Sequence, residues 1–273
     1  MQRRWLCGLT IAVILLSVAA WLNFRVQEQL IYAPARYAAD DDPSPWALEY
    51  ETAAGRQTAF YAPPARGGAP GELWLMFGGN GSLALDWRPV VAANTNPARA
   101  FLLLDYPGFG RCAGHPSPSA IQESADRALT VARERWGGAP APLRVCGYSL
   151  GTGPALQFAA RHAEVENILL LAPFTSLGEV EKFLYGVRTD FLLLHRFDNR
   201  AAVATLAARR APPTLLILHG ENDDTVPLTM GRQLAALLPG AVFRRLPGVG
   251  HDGVCQPPLI LECMNLATPR DSL

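Results

Sequence analysis

A chain of 273 residues with 49% hydrophobic and 18% charged side chains can bury a sizeable core, which excludes a disordered or low-complexity polymer. Its 24 basic and 24 acidic residues cancel, leaving no charge excess to neutralise phosphates, so a generic nucleic-acid binder is excluded. Lys182 is the only lysine and sits in no GxxxxGK phosphate loop, and the five cysteines (Cys7, Cys112, Cys146, Cys255, Cys263) form no CxxC pair, so neither a phosphate loop nor a structural zinc is expected.

The first predicted element is a membrane segment. Trp5 to Phe24 carries no charged residue, and at ~1.5 Å per residue a helix of that run reaches about 30 Å, the thickness of a hydrocarbon core. Arg3 and Arg4 precede it and Trp5 and Trp21 lie near its ends. The expectation is an N-terminal anchor over 1–24, with the N-terminus cytoplasmic and the remainder outside the cytoplasm. The alternative is a signal peptide cut after Val18-Ala19-Ala20, giving a secreted or periplasmic protein. In either case a disulfide is chemically permitted. Residues 25–45, ending in Asp-Asp-Asp-Pro-Ser-Pro, read as a linker, and the folded domain is expected over 46–273.

Within it, short apolar runs recur at Leu73 to Phe77, Ala100 to Leu104, Leu143 to Gly147, Asn167 to Ala172, Thr214 to Leu218 and Ala241 to Leu246. Amphipathic stretches at Ala120 to Trp136, Gly151 to Ala163 and Leu228 to Leu238 alternate with several of them. That alternation predicts an α/β fold, a mostly parallel sheet with helices on both faces, whose functional loops leave the carboxyl ends of the strands.

At one such end stands Gly147-Tyr148-Ser149-Leu150-Gly151, a G-x-S-x-G between a strand and a helix. The sharp turn lifts the serine above the sheet, and a side chain at either flanking glycine would collide with the neighbouring strand or helix. A serine hydroxyl needs a base. His115 and His162 fall before the elbow and in the helix after it, His195 in a lid segment, and His219 closes a strand. His251, in the loop Gly248-Val249-Gly250-His251-Asp252-Gly253 after the last strand, is the histidine that follows an acid-bearing strand end. The acid belongs to Glu221-Asn222-Asp223-Asp224, where three carboxylates compete.

Gly-Tyr-Ser-Leu-Gly, then His219-Gly220-Glu221-Asn222-Asp223-Asp224-Thr225-Val226-Pro227, then Gly250-His251-Asp252 resemble the α/β-hydrolase superfamily, from about Trp46 to the C-terminus. The resemblance implies the α/β-hydrolase fold, Asp223 as the triad acid beside Ser149 and His251, His219 as a structural residue, and no cofactor. It also implies that Gly78-Gly79-Asn80-Gly81 is the oxyanion loop, with Gly78 where the family commonly has histidine. The backbone N–H of Leu150 and that of Asn80, or alternatively Gly81, would then be the donors. Asp105-Tyr106-Pro107-Gly108-Phe109-Gly110 resembles a family turn and reads as scaffold. The anchor followed by Gln29-Leu30-Ile31-Tyr32-x-Pro34 is similar to small membrane-anchored bacterial esterases, thioesterases and serine-aminopeptidase-like hydrolases.

The expected activity is therefore that of a serine hydrolase acting on a small-molecule acyl ester or thioester. The alternatives are an amide-cleaving aminopeptidase-like enzyme, a metal-dependent hydrolase using His219, Asp223, Asp224 and His251, and an inactive binding module. Residues 173–213 are longer than a simple connection and should form a small cap. Phe174, Phe191 and Leu193 are the candidate substrate contacts within it.

Overall fold

Strands β3 (Glu72–Phe77), β4 (Arg99–Leu104), β5 (Leu143–Tyr148), β6 (Val165–Leu171) and β7 (Thr214–Gly220) are almost entirely buried along their length. Runs that are apolar on both faces are stable only when both faces are covered, and these strands pair in parallel. The computed structural model describes residues 17, 18, 22, 23, 25–38, 45–187 and 193–266. In the eight-stranded sheet the order is β1-β2-β4-β3-β5-β6-β7-β8.

Two strands were not anticipated. β1 (Ala47–Thr52) and β2 (Gly55–Ala62) form an antiparallel hairpin, and β2 pairs antiparallel with β4. β1 lies at the sheet edge and alternates buried with exposed residues, placing Glu49 and Glu51 outward, so it offers no apolar run to read. At the other edge β8 (Val242–Leu246) is largely accessible.

Helices cover both faces. One core joins α3 (Pro118–Glu134), α4 (Thr152–Arg161), α6 (Asn199–Ala207) and α7 (Leu228–Leu237) to the sheet through Ile121, Leu129, Phe158, Val203, Leu206 and Leu234. The second joins α2 (Arg88–Ala92) and α8 (Pro257–Leu266) through Val90, Ile260, Leu261 and Met264. α3 starts where Ser117 accepts from the Ala120 N–H at 3.2 Å with Pro118 at the first turn, which satisfies an otherwise orphaned donor.

Between β6 and β7 stand α5 (Leu177–Tyr185) and α6. Ser176 caps α5, and Gly186, in the left-handed region at φ 74°, ends it. Gly178 is the one buried residue of α5, which therefore rides on the body rather than in it.

The segment expected as a linker differs from that reading over residues 25–38. Helix α1 (25–31) and the strap after it pack against the domain: Tyr32 is fully buried in the first core, and Gln27 and Glu28 are buried as well. The Tyr32 carbonyl accepts from the Gly81 N–H and the Ala35 carbonyl from the Gly110 N–H, both at 2.9 Å. Arg36 donates to the Gly110 and Cys112 carbonyls at 3.0 and 3.2 Å. The Asp-Pro signature that looked like a linker falls instead on 39–45, of which 39–44 lie outside the described residues. Of Trp5–Phe24 only residues 17, 18, 22 and 23 are described, so the anchor expectation falls almost wholly outside. Among the described residues no helix is long and apolar enough to cross a membrane. The four described cysteines, Cys112, Cys146, Cys255 and Cys263, are free thiols.

Candidate active site

β5 runs into the elbow at Ser149, whose φ of 50° is a left-handed conformation that non-glycine residues adopt only under constraint. Both flanking glycines are required by space. A Cβ at Gly147 would lie 2.6 Å from the Gly151 carbonyl oxygen and 2.8 Å from the Thr152 Cα, while one at Gly151 would overlap the carbonyls of Phe77 and Gly78 at the end of β3. The Thr152 hydroxyl donates to the Ser149 carbonyl at 2.7 Å and holds the turn closed.

The imidazole of His251, delivered by the loop after β8, has Nε2 at 2.8 Å from Ser149 Oγ and Nδ1 at 2.7 Å from Asp223 Oδ2. Asp223 sits in the turn after β7. Its other oxygen accepts from the Val226 and Thr225 N–H groups at 2.7 and 3.0 Å. Glu221 and Asp224 are exposed; Glu221 pairs with Arg245 at 2.7 Å and Asp224 reaches only the Thr225 hydroxyl at 3.4 Å. Geometry thus separates the three competing carboxylates. Burial alone would raise the pKa of Asp223, but hydrogen bonds from His219, His251 and the Val226 N–H outweigh it and hold the carboxyl well below the usual carboxylate range. An ionised Asp223 accepts, so the ring proton is on Nδ1 and the Nε2 lone pair faces Ser149.

That depression has a measurable consequence for stability. A carboxyl whose folded pKa is lowered stabilises the native state above the unfolded value of about 3.9, and the contribution is lost as pH falls through that value toward the folded one. Urea unfolding at pH 5 and pH 3 is therefore expected to show a smaller acid-induced loss in Asp223→Asn than in the wild type. An equal loss in the two proteins would mean that the carboxyl is not held ionised by the fold.

His219 is fully buried beneath this pair. Its Nε2 lies 2.9 Å from the Val226 carbonyl oxygen and 3.4 Å from Asp223 Oδ2, and Gly231 of α7 leaves room for its Nδ1 edge. It braces the acid turn and does not face Ser149. His195 is buried against Tyr32, 3.1 Å from its hydroxyl, His115 meets Glu28, and His162 meets Asp126. Among the described residues no group of three or more His, Cys, Asp or Glu is placed to hold a metal ion.

Of the two alternatives for the oxyanion loop, Gly81 has its N–H committed to the Tyr32 carbonyl. Asn80 lines the same cavity as Ser149 and Leu150. Gly78, where the resemblance expected histidine, has Ser82 Cβ 3.0 Å from where its own Cβ would be, so a side chain there would crowd Ser82. The cavity, about 320 Å³, has Phe174 and Leu193 in its wall. Phe191 lies outside the described residues.

No protein-family model matches the chain. An uncharacterized protein of Mycobacterium tuberculosis is 29% identical over 252 residues, covering 89% of this chain and 87% of that protein. Alpha/beta hydrolase domain-containing protein 17C of mouse is 27% identical over 154 residues, 55% of this chain and 44% of that protein. The solved structure of an esterase from Pyrococcus furiosus superposes with a TM-score of 0.66 at 12% identity, covering 87% of this chain and 96% of the esterase. The chain has the α/β-hydrolase fold and is similar to proteins named for an alpha/beta hydrolase domain.

Sequence reasoning missed one wall of the cavity. Val26, Leu30 and Ile31 of α1 line it opposite Val180, Leu184 and Tyr185 of α5. The signal was present in the four-residue spacing of Val18, Leu22, Val26 and Leu30, which runs across the boundary between the anchor expected over 1–24 and the linker expected over 25–45. Tyr148, the variable residue of the elbow, was also passed over: its hydroxyl donates to Asp252 at 2.5 Å and its ring lies 5.4 Å from that of His251.

Proposed function

We propose that this hydrolase is a serine esterase or thioesterase that works through an acyl-enzyme formed on Ser149. The reading rests on one observation, the unbroken line Asp223–His251–Ser149 with links of 2.7 and 2.8 Å, ending at a cavity with apolar walls. Ser149 Oγ attacks the acyl carbonyl carbon while its proton passes to His251 Nε2, and Asp223 stabilises the imidazolium. The carbonyl oxygen becomes an oxyanion facing the N–H groups of Leu150 and Asn80. Collapse breaks the bond to the leaving oxygen or sulfur, which takes the proton from Nε2 and departs as the alcohol or thiol, leaving the imidazole neutral. A water then attacks the acyl carbon, giving its proton to the imidazole, and the acid leaves as Ser149 regains its hydrogen.

The direct test is labelling of the wild-type chain by a fluorophosphonate, with mass mapping of the adduct. A phosphonylated peptide containing Ser149 is expected, and an adduct on any other residue, or none, would overturn the reading. The apolar wall gives a second expectation. Each methylene buried contributes about 0.8 kcal/mol, so kcat/KM for p-nitrophenyl esters should rise by up to about tenfold per two carbons from acetate toward octanoate. A steady fall from acetate upward, or faster turnover of aminoacyl amides, would instead support a short-ester or aminopeptidase-like substrate.

A further inference from the structure

Twelve large apolar side chains are prominently exposed among the described residues, and nine of them come from 18–30, 183–187 and 194. Their exposure runs from 44% to 70%, and they are not scattered. Val26 and Leu30 of α1 and Leu184 and Tyr185 of α5 are at once exposed and part of the cavity that holds Ser149, so they form its mouth. The two sides are tied together where the Leu194 N–H donates to Gln27 Oε1 at 2.8 Å. The cavity beside the nucleophile therefore opens through a greasy rim, an arrangement that water does not favour.

What covers the rim is indicated by the chain that leads into it. Trp5 to Phe24 is uncharged and about a bilayer core in length, and it runs directly into α1. The same four-residue spacing that gives Val18 and Leu22 continues through Val26 to Leu30, so one apolar face extends from that run to the cavity mouth. Arg25, the first charge after the run, turns instead to Glu28 at 3.0 Å and toward His115 at 3.2 Å.

We propose that the α1–α5 rim is a bilayer-docking surface through which a membrane-dissolved acyl chain enters the cavity beside Ser149. This rests on the serine-hydrolase reading and adds to it the substrate's physical state: an ester or thioester whose acyl chain resides in the leaflet. With the run Trp5–Phe24 inserted, α1 leaves the bilayer at its surface, and the rim lies at the depth of the headgroup and acyl boundary, where apolar helix faces bind. The acyl chain then moves from one apolar medium to another, while the carbonyl at its polar end meets Ser149.

The test uses the full chain reconstituted into phosphatidylcholine vesicles, with two substrates: aqueous p-nitrophenyl butyrate and an oleoyl ester of a fluorogenic alcohol dissolved in the vesicles. Phe183 and Leu194 belong to the rim but not to the cavity lining. Phe183→Glu and Leu194→Glu are expected to keep butyrate turnover within about twofold and to lose about tenfold or more on the embedded ester, with Phe183→Leu near wild type. Embedded turnover that stays within twofold, or falls only in step with butyrate in both variants, would overturn the proposal. A readout independent of catalysis accompanies it: a fluorophore on Leu194→Cys in the Ser149→Ala background should be quenched by nitroxide-labelled phosphatidylcholine. No quenching would sink the docking surface whatever the turnover, as would loss of a dimer as the only effect of the glutamates. The hydrolase reading fails separately, if Ser149→Ala retains butyrate turnover.

Discussion

Ser149→Ala is expected to lower kcat by about 10⁶-fold while leaving the fold intact. On the proposed mechanism Oγ is the atom that forms the acyl bond. His251 can, on the same mechanism, still activate a water without it, and the N–H groups proposed to bind the oxyanion are untouched, so a small residual rate over water is expected. The elbow does not depend on the hydroxyl. It is held by the Thr152 bond to the Ser149 carbonyl and by the close approach of Gly151 to the end of β3, neither of which involves Oγ. The melting temperature should therefore stay within about 2 °C of wild type. Turnover of p-nitrophenyl butyrate and thermal unfolding by circular dichroism check both halves. A variant that keeps even a tenth of the activity would place the nucleophile elsewhere, and one that unfolds would show that the elbow needs its serine for structure.

Asp223→Asn should cost about 10⁴ in kcat, whereas Asp224→Asn should change it less than about threefold. An amide at position 223 keeps a carbonyl oxygen for the Val226 and Thr225 N–H groups, so the turn survives. Its NH₂, however, donates toward His251 Nδ1 and so favours the tautomer with hydrogen on Nε2, which cannot accept the Ser149 proton. Asp224 points to solvent and touches neither imidazole. The loss should appear in kcat with little change in KM, because neither carboxylate lines the cavity wall. Comparable losses in the two variants would mean that the turn presents both side chains to the histidine.

The central strands and the site turns were legible because each is specified locally. A strand buried on both faces is apolar along most of its length, with the buried Arg99 and Arg144 paired to Glu72, and an elbow that brings a helix against a strand admits only glycine at Gly147 and Gly151. The loops after β7 and β8 declared themselves by their position at strand ends and by the residues they carry. The hairpin of β1 and β2 was not legible, since an edge strand with one wet face has no continuous apolar run.

By itself the sequence determined that the sheet is mostly parallel, that Ser149 stands at a strand-to-helix turn, and that His251 follows an acidic turn. All three are written in spacing that a few consecutive residues enforce. Only the tertiary structure decided which of Glu221, Asp223 and Asp224 meets the imidazole, because that depends on which side chain the Val226 and Thr225 N–H groups turn inward. It alone committed the Gly81 N–H to Tyr32 and left Asn80 at the cavity, and it alone made α1 a wall of that cavity. Those outcomes join residues far apart in the chain, through single hydrogen bonds and shared burial that no local pattern encodes.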